Sequence, residues 1–250
     1  MDMTDWDNME KWEIYLFRRL LYSKYRQPRK NALLNLSGGT DSALVFYLIC
    51  EYVVKNDIQG FQITPIHGWD MNRVNAYSPD AAKKVYSYIK DKFPTVKIND
   101  LYIFAYHKLK GETKSKYHNP VFRLFEKEGL CDPGMIFSGT TLSPQDQSYK
   151  PPVDINLNGS IDRQANPTFN RNVGDKTAKG VNYEDSNIIC SYDKKWVSRM
   201  YQEKNLTEIF QHTVSCIGDE PNGPCKKCWW CHEKYWAFGH YDGESLKAEV

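Results

Sequence analysis

The hexapeptide Ser37-Gly38-Gly39-Thr40-Asp41-Ser42 is the strongest local signal in the sequence. It follows a short apolar run, Ala32–Leu36, and precedes a second run, Ala43–Val54, which is apolar nearly all round and predicts a buried helix. Free backbone N–H groups and the helix dipole attract an anion at such a helix start, and two glycines allow close backbone approach. The hexapeptide therefore predicts a phosphate-binding loop between a strand and a helix.

The side chains of this loop favour a nucleotide with its metal ion. Ser37 and Ser42 offer hydroxyl donors, and Asp41 can hold a Mg²⁺ ion that bridges phosphate oxygens. The loop does not end in the Gly-Lys-Ser/Thr of a Walker loop. We predict that ATP and Mg²⁺ are bound by the residues Ser37, Gly38, Gly39, Thr40, Asp41 and Ser42. The structural alternative is a Gly-Ser turn with a helix cap.

Strand and helix patterns alternate after this loop. The predicted elements are a second strand at Phe61–Ile66, a helix from Ser78, a third strand at Leu101–Ala105, a helix at Val121–Glu128 and a fourth strand at Met135–Phe137. This alternation predicts an α/β fold with a doubly wound, mostly parallel sheet. The pattern stops in the Asn- and Pro-containing stretch 143–187, which we interpret as a long irregular segment. The predicted domains are an ATP-binding α/β domain over 1–190 and a helical zinc-binding region over 191–250.

Four of the seven cysteines lie close together near the end of the chain. Cys216, Cys225, Cys228 and Cys231 have the knuckle spacing that directs several sulfurs at one ion. A closed set of four thiolates leaves no open position, so a bound Zn²⁺ is predicted to be structural. Buried thiols, disulfides and an iron–sulfur centre are the alternatives. The scattered Cys50, Cys131 and Cys190 are expected to be small buried side chains.

Bulk properties exclude several function classes. The net charge of +2 gives no argument for a nucleic-acid binder, so a nucleic-acid partner is not expected. The longest apolar run, Ala43–Cys50, is too short to cross a membrane. The acidic N-terminus lacks the layout of a signal peptide, and we expect a cytoplasmic protein.

The SGGxDS pattern of residues 37–42 resembles the signature of the PP-loop ATP pyrophosphatases. Together with the C-terminal cysteine knuckle and its preceding segment Thr213–Cys216, it resembles the 7-cyano-7-deazaguanine (preQ0) synthase family. The resemblance implies an adenine nucleotide α-hydrolase-like fold. It also implies an ATP-dependent carbon–nitrogen ligase that adenylates 7-carboxy-7-deazaguanine, converts it with ammonia to the amide and then to the nitrile, and releases AMP and pyrophosphate.

The resemblance also supplies candidate residues. Lys194 or Lys195 lies where the family often has a lysine before a helix, and both join Asp41 and Ser42 as predicted catalytic residues. Ligands bind beyond the carboxyl ends of strands in open α/β sheets. We therefore expect a substrate contact from the segments that follow the second and fourth strands, namely His67, Arg73, Gly139 and Thr140.

Other functions stay open at this stage. The segment 67–73 differs from the family pattern, so an amide-forming enzyme for another carboxylate is one alternative. A PP-loop enzyme that transfers sulfur to tRNA is another, with Cys131 or Cys190 as catalytic thiol. A zinc-knuckle module that binds nucleic acid is a non-enzymatic alternative, suggested by the Lys and Trp residues of 226–236. A homodimer is also left open.

Overall fold

The computed structural model describes residues 9–21, 29–72, 78–107, 109, 115–142, 144, 149, 187–216, 223–244 and 246. Its helices are α1 (Lys11–Leu16), continued by a π-helical turn (Phe17–Leu21), α2 (Thr40–Lys55), α3 (Ser78–Lys92), α4 (Ser115–Lys127), α5 (Lys194–Glu203), α6 (Thr207–His212) and α7 (Trp229–Phe238). Its strands are β1 (Asn31–Asn35), β2 (Gln62–Asp70), β3 (Lys97–Ile98), β4 (Tyr102–Tyr106) and β5 (Ile136–Ser138).

All strand pairs in this sheet are parallel. The order is β3-β2-β1-β5, and β4 also pairs with β2. Leu34 of β1 lies opposite Pro65 of β2 on one side and Phe137 of β5 on the other. The first two residues of β2 pair with β3 and its last five pair with β4. The strand order therefore reverses at β1, as expected for a doubly wound sheet.

The two apolar runs around residues 37–42 form the centre of the core. Ala32, Leu33 and Leu34 of β1 are buried, and α2 is buried from Ser42 through Cys50. A run that is apolar on all sides thus forms a helix covered on all sides, as the sequence indicates. This confirms the central strand and helix of the predicted mixed α/β fold.

The remaining elements differ from the predictions mainly at their ends. β2 continues to Asp70, four residues beyond the predicted Ile66, because β4 pairs along its second half. The two-residue strand β3 has too little periodicity to be recognised and was not predicted. α4 starts at Ser115 rather than Val121, since aromatic side chains of its first turns pack against β4. The rings of Tyr117 and Tyr106 are stacked, with centroids 4.6 Å apart.

The C-terminal helices pack on the same core as the sheet. Val197 and Tyr201 of α5, Phe210 of α6 and Phe238 of α7 are buried in one cluster with β1 and α2. The boundary between residues 190 and 191 stays a prediction. Across the described part of the chain, no helix combines the length and apolarity needed to cross a bilayer.

Candidate functional site

The loop between β1 and α2 is braced by its own hydroxyl groups. Gly38 adopts φ = 79°, a left-handed conformation that favours glycine, and Gly39 is the helix N-cap. The Ser42 hydroxyl donates to the Gly39 carbonyl at 3.1 Å and lies 2.9 Å from the Ser37 hydroxyl. Ser42 is buried while Ser37 is exposed. Ser42 therefore shapes the loop from inside, and Ser37 presents its hydroxyl at the surface.

The end of β5 lies directly against this loop. A Cβ on Gly139 would be 2.4 Å from the backbone nitrogen of Ser42 and 2.5 Å from the carbonyl carbon of Asp41. No side chain fits there. The structure thus brings Gly139 against the start of α2, and Thr140 is the next residue along the chain. Their contribution to substrate binding stays a prediction.

A buried amide holds the segment after β5 in place. The Asn187 side chain accepts a hydrogen bond from the Thr140 nitrogen at 3.3 Å and donates one to the Thr140 carbonyl at 2.6 Å. The amide thus hydrogen-bonds to both backbone groups of Thr140, as a neighbouring β-strand would. Nothing in the local sequence marked Asn187, because its partner lies 47 residues away.

The close approach at Gly139 predicts a strong stability effect. Gly139→Ala should lower the free energy of unfolding by about 1–3 kcal/mol, because the new methyl group overlaps backbone that cannot move alone. The matched control is Gly39→Ala, whose Cβ would meet nothing closer than 3.5 Å. Its expected cost is below about 1 kcal/mol, that of a weaker N-cap. Urea unfolding of both variants measures this, and equal costs would show that the contact at Gly139 is not tight.

Lys194 is the lysine that reaches the loop. It is the first residue of α5, after the N-cap Asp193, whose carboxylate accepts from the Trp196 nitrogen at 3.0 Å. Its buried ammonium pairs with the carboxylate of Asp41 and lies 3.4 Å from the Thr40 hydroxyl. Asp41 and Lys194 are 153 residues apart in the chain. The fold alone brings them together.

Lys195, the other predicted catalytic lysine, has a different environment. It is exposed, and its ammonium lies 4.6 Å from the ring centroid of Trp236. Successive residues of a helix point about 100° apart, so only one of the two lysines can face Asp41. The structure therefore separates the pair that the sequence left together and places Lys194 in the site.

Tyr201 is a site residue that the sequence analysis missed. Its hydroxyl donates to the Thr40 carbonyl at 3.0 Å, and the ring is fully buried. Burial, together with the charge of Asp41, raises the pKa of Tyr201 well above its ordinary value, so the hydroxyl stays a donor. Its spacing from Lys194 in the sequence could have indicated this role. Tyr201 lies seven residues after Lys194 and shares its helix face.

His67 lies within β2 rather than after it, because the strand is longer than predicted. Its ring is buried, and Nδ1 lies 2.8 Å from the carbonyl of Leu36, the residue before the loop. Since a carbonyl only accepts, Nδ1 carries the proton in this contact. His67 is thus adjacent to the start of the loop, while its substrate role stays a prediction. Arg73 lies outside the described residues.

The four clustered cysteines form one compact, buried set. Their sulfur atoms all lie within 4.8 Å of one another, and those of Cys225 and Cys231 are 3.9 Å apart. This separation is too long for a disulfide, whose sulfurs are about 2 Å apart. It matches a tetrahedral zinc site, where bonds of about 2.3 Å place the sulfurs about 3.8 Å apart. The predicted four-cysteine site is confirmed as a cluster that could hold a metal such as zinc.

Backbone geometry around the cluster fits thiolate ligands. The amides of Cys225 and Cys228 point at the sulfurs of Cys216 and Cys225, at 3.2 and 3.4 Å. Lys226 adopts φ = 56° in the turn between them. Without a cation, shared hydrogen bonds with Cys216 and Cys228 and burial raise the pKa of Cys231. A bound cation favours deprotonation, so this donor set suits a thiophilic divalent metal.

The segment that leads into the cluster also touches the loop. The backbone nitrogen of Val214, two residues before Cys216, donates to the carbonyl of Gly38 at 2.9 Å. The carbonyl oxygen of Val214 and the Ser215 hydroxyl are also among the atoms that a Cβ on Gly39 would meet, at 3.5 and 3.8 Å. The cysteine cluster and the loop are therefore neighbours joined by one short stretch of chain.

Comparison of the chain with protein-family models and with curated proteins finds no match.

Proposed function

We propose that the protein is an ATP-dependent ligase of the PP-loop class. It would adenylate a carboxylate, and the resemblance in sequence to the 7-cyano-7-deazaguanine synthase family makes 7-carboxy-7-deazaguanine the first candidate substrate. The observation that carries the proposal is the pairing of Lys194 with Asp41 at the start of α2. It places a cation and a carboxylate side by side at the loop where the sequence predicts phosphate binding.

The position of the loop in the sheet supports nucleotide binding. The sheet order reverses at β1, with β2 on one side and β5 on the other. In open α/β sheets, ligands bind outside the carboxyl ends of the strands at such a reversal. Residues 37–42 leave β1 and residues 139–140 leave β5, so both border this crevice. An adenine nucleotide α-hydrolase-like fold would use the crevice in this way.

The charges at the loop suit transfer of an adenylyl group. The amides at the start of α2 and the helix dipole stabilise phosphate oxygens. Asp41 would hold Mg²⁺, which would supply positive charge at the phosphates. In this proposal Lys194 leaves Asp41 for a phosphate oxygen, since its buried ammonium lies beside the loop. Its charge then stabilises the negative charge that develops as pyrophosphate departs.

The proposed reaction would consume the carboxylate, ammonia and two molecules of ATP. A carboxylate oxygen of the substrate attacks the α-phosphorus of ATP, and the bond between the α-phosphorus and the bridging oxygen breaks to release pyrophosphate. Ammonia then attacks the activated carbonyl carbon, loses a proton and expels AMP to leave the amide. A second ATP would activate the amide oxygen in the same way, with loss of one proton from the amide nitrogen, and loss of AMP and of the second nitrogen-bound proton leaves the nitrile.

One experiment tests the function directly. The full chain is incubated with ATP, Mg²⁺, ammonium and 7-carboxy-7-deazaguanine, pyrophosphate release is followed, and the product mass is measured. Release that depends on the carboxylate supports the ligase, and the mass distinguishes amide from nitrile. ATP cleavage that requires a different carboxylate would leave the ligase class intact and change the substrate. Absence of AMP formation with every carboxylate would contradict the proposal.

The two neighbouring lysines provide a matched pair for the mechanism. Lys194→Ala should lower AMP formation about a hundred- to thousandfold, because a preorganised charge at the leaving group is lost. Lys195→Ala should change it less than about twofold, since this lysine lies against Trp236 at the surface. Initial rates at saturating ATP give the comparison. Equal rates in the two variants would remove Lys194 from the chemistry.

The described structure offers less support for the alternative functions. Sulfur transfer needs an accessible thiolate, yet Cys131 and Cys190 are both buried, and burial raises the pKa of Cys131 to about 12. A nucleic-acid-binding knuckle needs rings on which bases can stack. Trp229 is fully buried, and Trp230 packs against the cysteine cluster. The ligase proposal therefore stands ahead of both.

A further inference from the structure

Helix α7 carries charged residues that are buried rather than exposed to solvent. Glu233 and Lys234 are each 1% exposed, and Asp242, four residues after the helix, is 8% exposed. Lys234 and Asp242 form an ion pair at 2.5 Å. Burying such a pair is costly unless its remaining hydrogen-bonding groups are also used, so the partners of each group are informative.

Asp242 hydrogen-bonds to the backbone at and next to a cysteine of the cluster. One carboxylate oxygen pairs with Lys234, and the other accepts hydrogen bonds from the backbone nitrogens of Ser215 and Cys216, at 2.8 and 2.7 Å. Lys234 also donates to the hydroxyl and carbonyl of Thr213, at 3.0 and 3.3 Å. The pair therefore clamps residues 213–216 from one side.

The other side of the same segment holds the phosphate loop. Val214 lies between the clamped residues and donates to the Gly38 carbonyl at 2.9 Å. Cys216 ends the segment with its sulfur in the cysteine cluster. Helix α7 provides a second connection between the cluster and the loop. It carries Cys231 and, two residues later, Glu233. The Glu233 carboxylate lies 3.9 Å from the ammonium of Lys194. Lys194 in turn pairs with Asp41.

We infer that Asp242 is a positioning residue that couples the four-cysteine cluster to the phosphate loop. With metal in the cluster, Cys216 is fixed, Asp242 holds its amide, and Val214 holds Gly38 in the conformation that receives an anion. When the metal leaves, the segment loses one anchor and the loop relaxes. The inference rests on the proposed function for its nucleotide, while the contact between Val214 and Gly38 exists independently of it.

Coupling of this kind is reciprocal. If the metal raises nucleotide affinity by some factor, the nucleotide raises metal affinity by the same factor. We expect about a tenfold effect, within the usual range for coupled sites. The probes are Zn²⁺ and a fluorescent ATP analogue with Mg²⁺, and hydrogen exchange in the peptide that spans residues 36–42 reports on the loop without any nucleotide.

Asp242→Asn is the test variant and Glu244→Gln is its control. Glu244 is a half-exposed acid two residues further on, 3.8 Å from Lys226. Asp242→Asn should keep its zinc, bind the ATP analogue about tenfold more weakly and exchange faster at residues 36–42. Wild-type protein stripped with a chelator should show the same faster exchange, with exchange in β2 unchanged. Glu244→Gln should match the wild type in all three measurements.

A double variant addresses the case in which Asp242→Asn does not fold. Lys234→Met with Asp242→Leu replaces both buried charges by apolar side chains, which proteins often tolerate, and leaves the amides of Ser215 and Cys216 without this acceptor. A folded double variant with wild-type exchange at residues 36–42 would overturn the inference, as would an Asp242→Asn variant with wild-type exchange. If the wild type binds no ATP analogue, the proposed function fails, while the exchange measurements still decide whether the cluster and the loop are coupled.

Discussion

Asp41→Asn should reduce ATP-dependent AMP formation about a hundred- to thousandfold while the protein stays folded. The amide keeps the shape of the side chain but carries no charge for Mg²⁺. It also no longer gives the ammonium of Lys194 its ion-pair partner at the loop. The substitution therefore affects both charged groups that the mechanism uses. Initial rates of AMP release at saturating ATP and Mg²⁺ measure the effect.

The matched control is Asp80→Asn. Asp80 is also an acidic residue in the first turn of a helix, but it is exposed and pairs with Lys83 at 3.1 Å at the surface. It should leave the rate within about twofold of the wild type, as surface substitutions usually do. Wild-type turnover in Asp41→Asn would remove the loop from the mechanism, whatever the control shows.

Cys228→Ser should release the metal and destabilise the C-terminal region by more than about 4 kcal/mol. The wild-type chain is expected to hold about one zinc ion, bound without an open position. Cys228 is fully buried and is the N-cap residue of α7, but its side chain makes no capping hydrogen bond. The expected loss of stability is therefore that of the bound ion. Zinc content by mass spectrometry and thermal unfolding measure the two effects.

Cys131→Ser provides the comparison. Cys131 is also buried, but it lies outside the cluster, and its thiol donates to the Met135 carbonyl at 3.4 Å. A serine at this position can still donate its hydroxyl to that carbonyl. The substitution should therefore lower the free energy of unfolding by about 1 kcal/mol and leave the zinc content of the protein unchanged. A soluble, active and zinc-free Cys228→Ser protein would contradict a structural metal.

Features encoded within a few residues could be predicted from the sequence. Residues 37–42 combine a strand end, two glycines and a helix start, and the four cysteines have their own spacing. The order of the parallel strands was not predicted, because it depends on β3 and β4 sharing one partner. The nucleotide, its metal and the reaction stay predictions, as do Arg73 and the irregular 143–187 segment.

The buried charges could not be predicted, for a physical reason. Glu233, Lys234 and Asp242 read in sequence as ordinary surface residues, since charged side chains are rarely buried without partners. Lys234 and Asp242 are eight residues apart, but their other partners lie further away in the chain: Thr213 is 21 residues from Lys234, and Ser215 is 27 residues from Asp242. Only the packing of α5 and α7 against the loop brings these groups together. Which of Lys194 and Lys195 faces Asp41 likewise depends on the side of α5 that packs against the loop.

The outer edge of the sheet beside β2 consists of two short pieces instead of one strand. β3 has two residues and β4 has five, and between them the side chain of Asn99 bonds to the Thr64 hydroxyl at 2.8 Å. A long, straight edge is a template on which a second chain can add a strand and begin aggregation. Here an incoming strand could pair with at most the five residues of β4 before the edge is interrupted. Within the described residues, this break protects an apolar sheet from sticking to copies of itself.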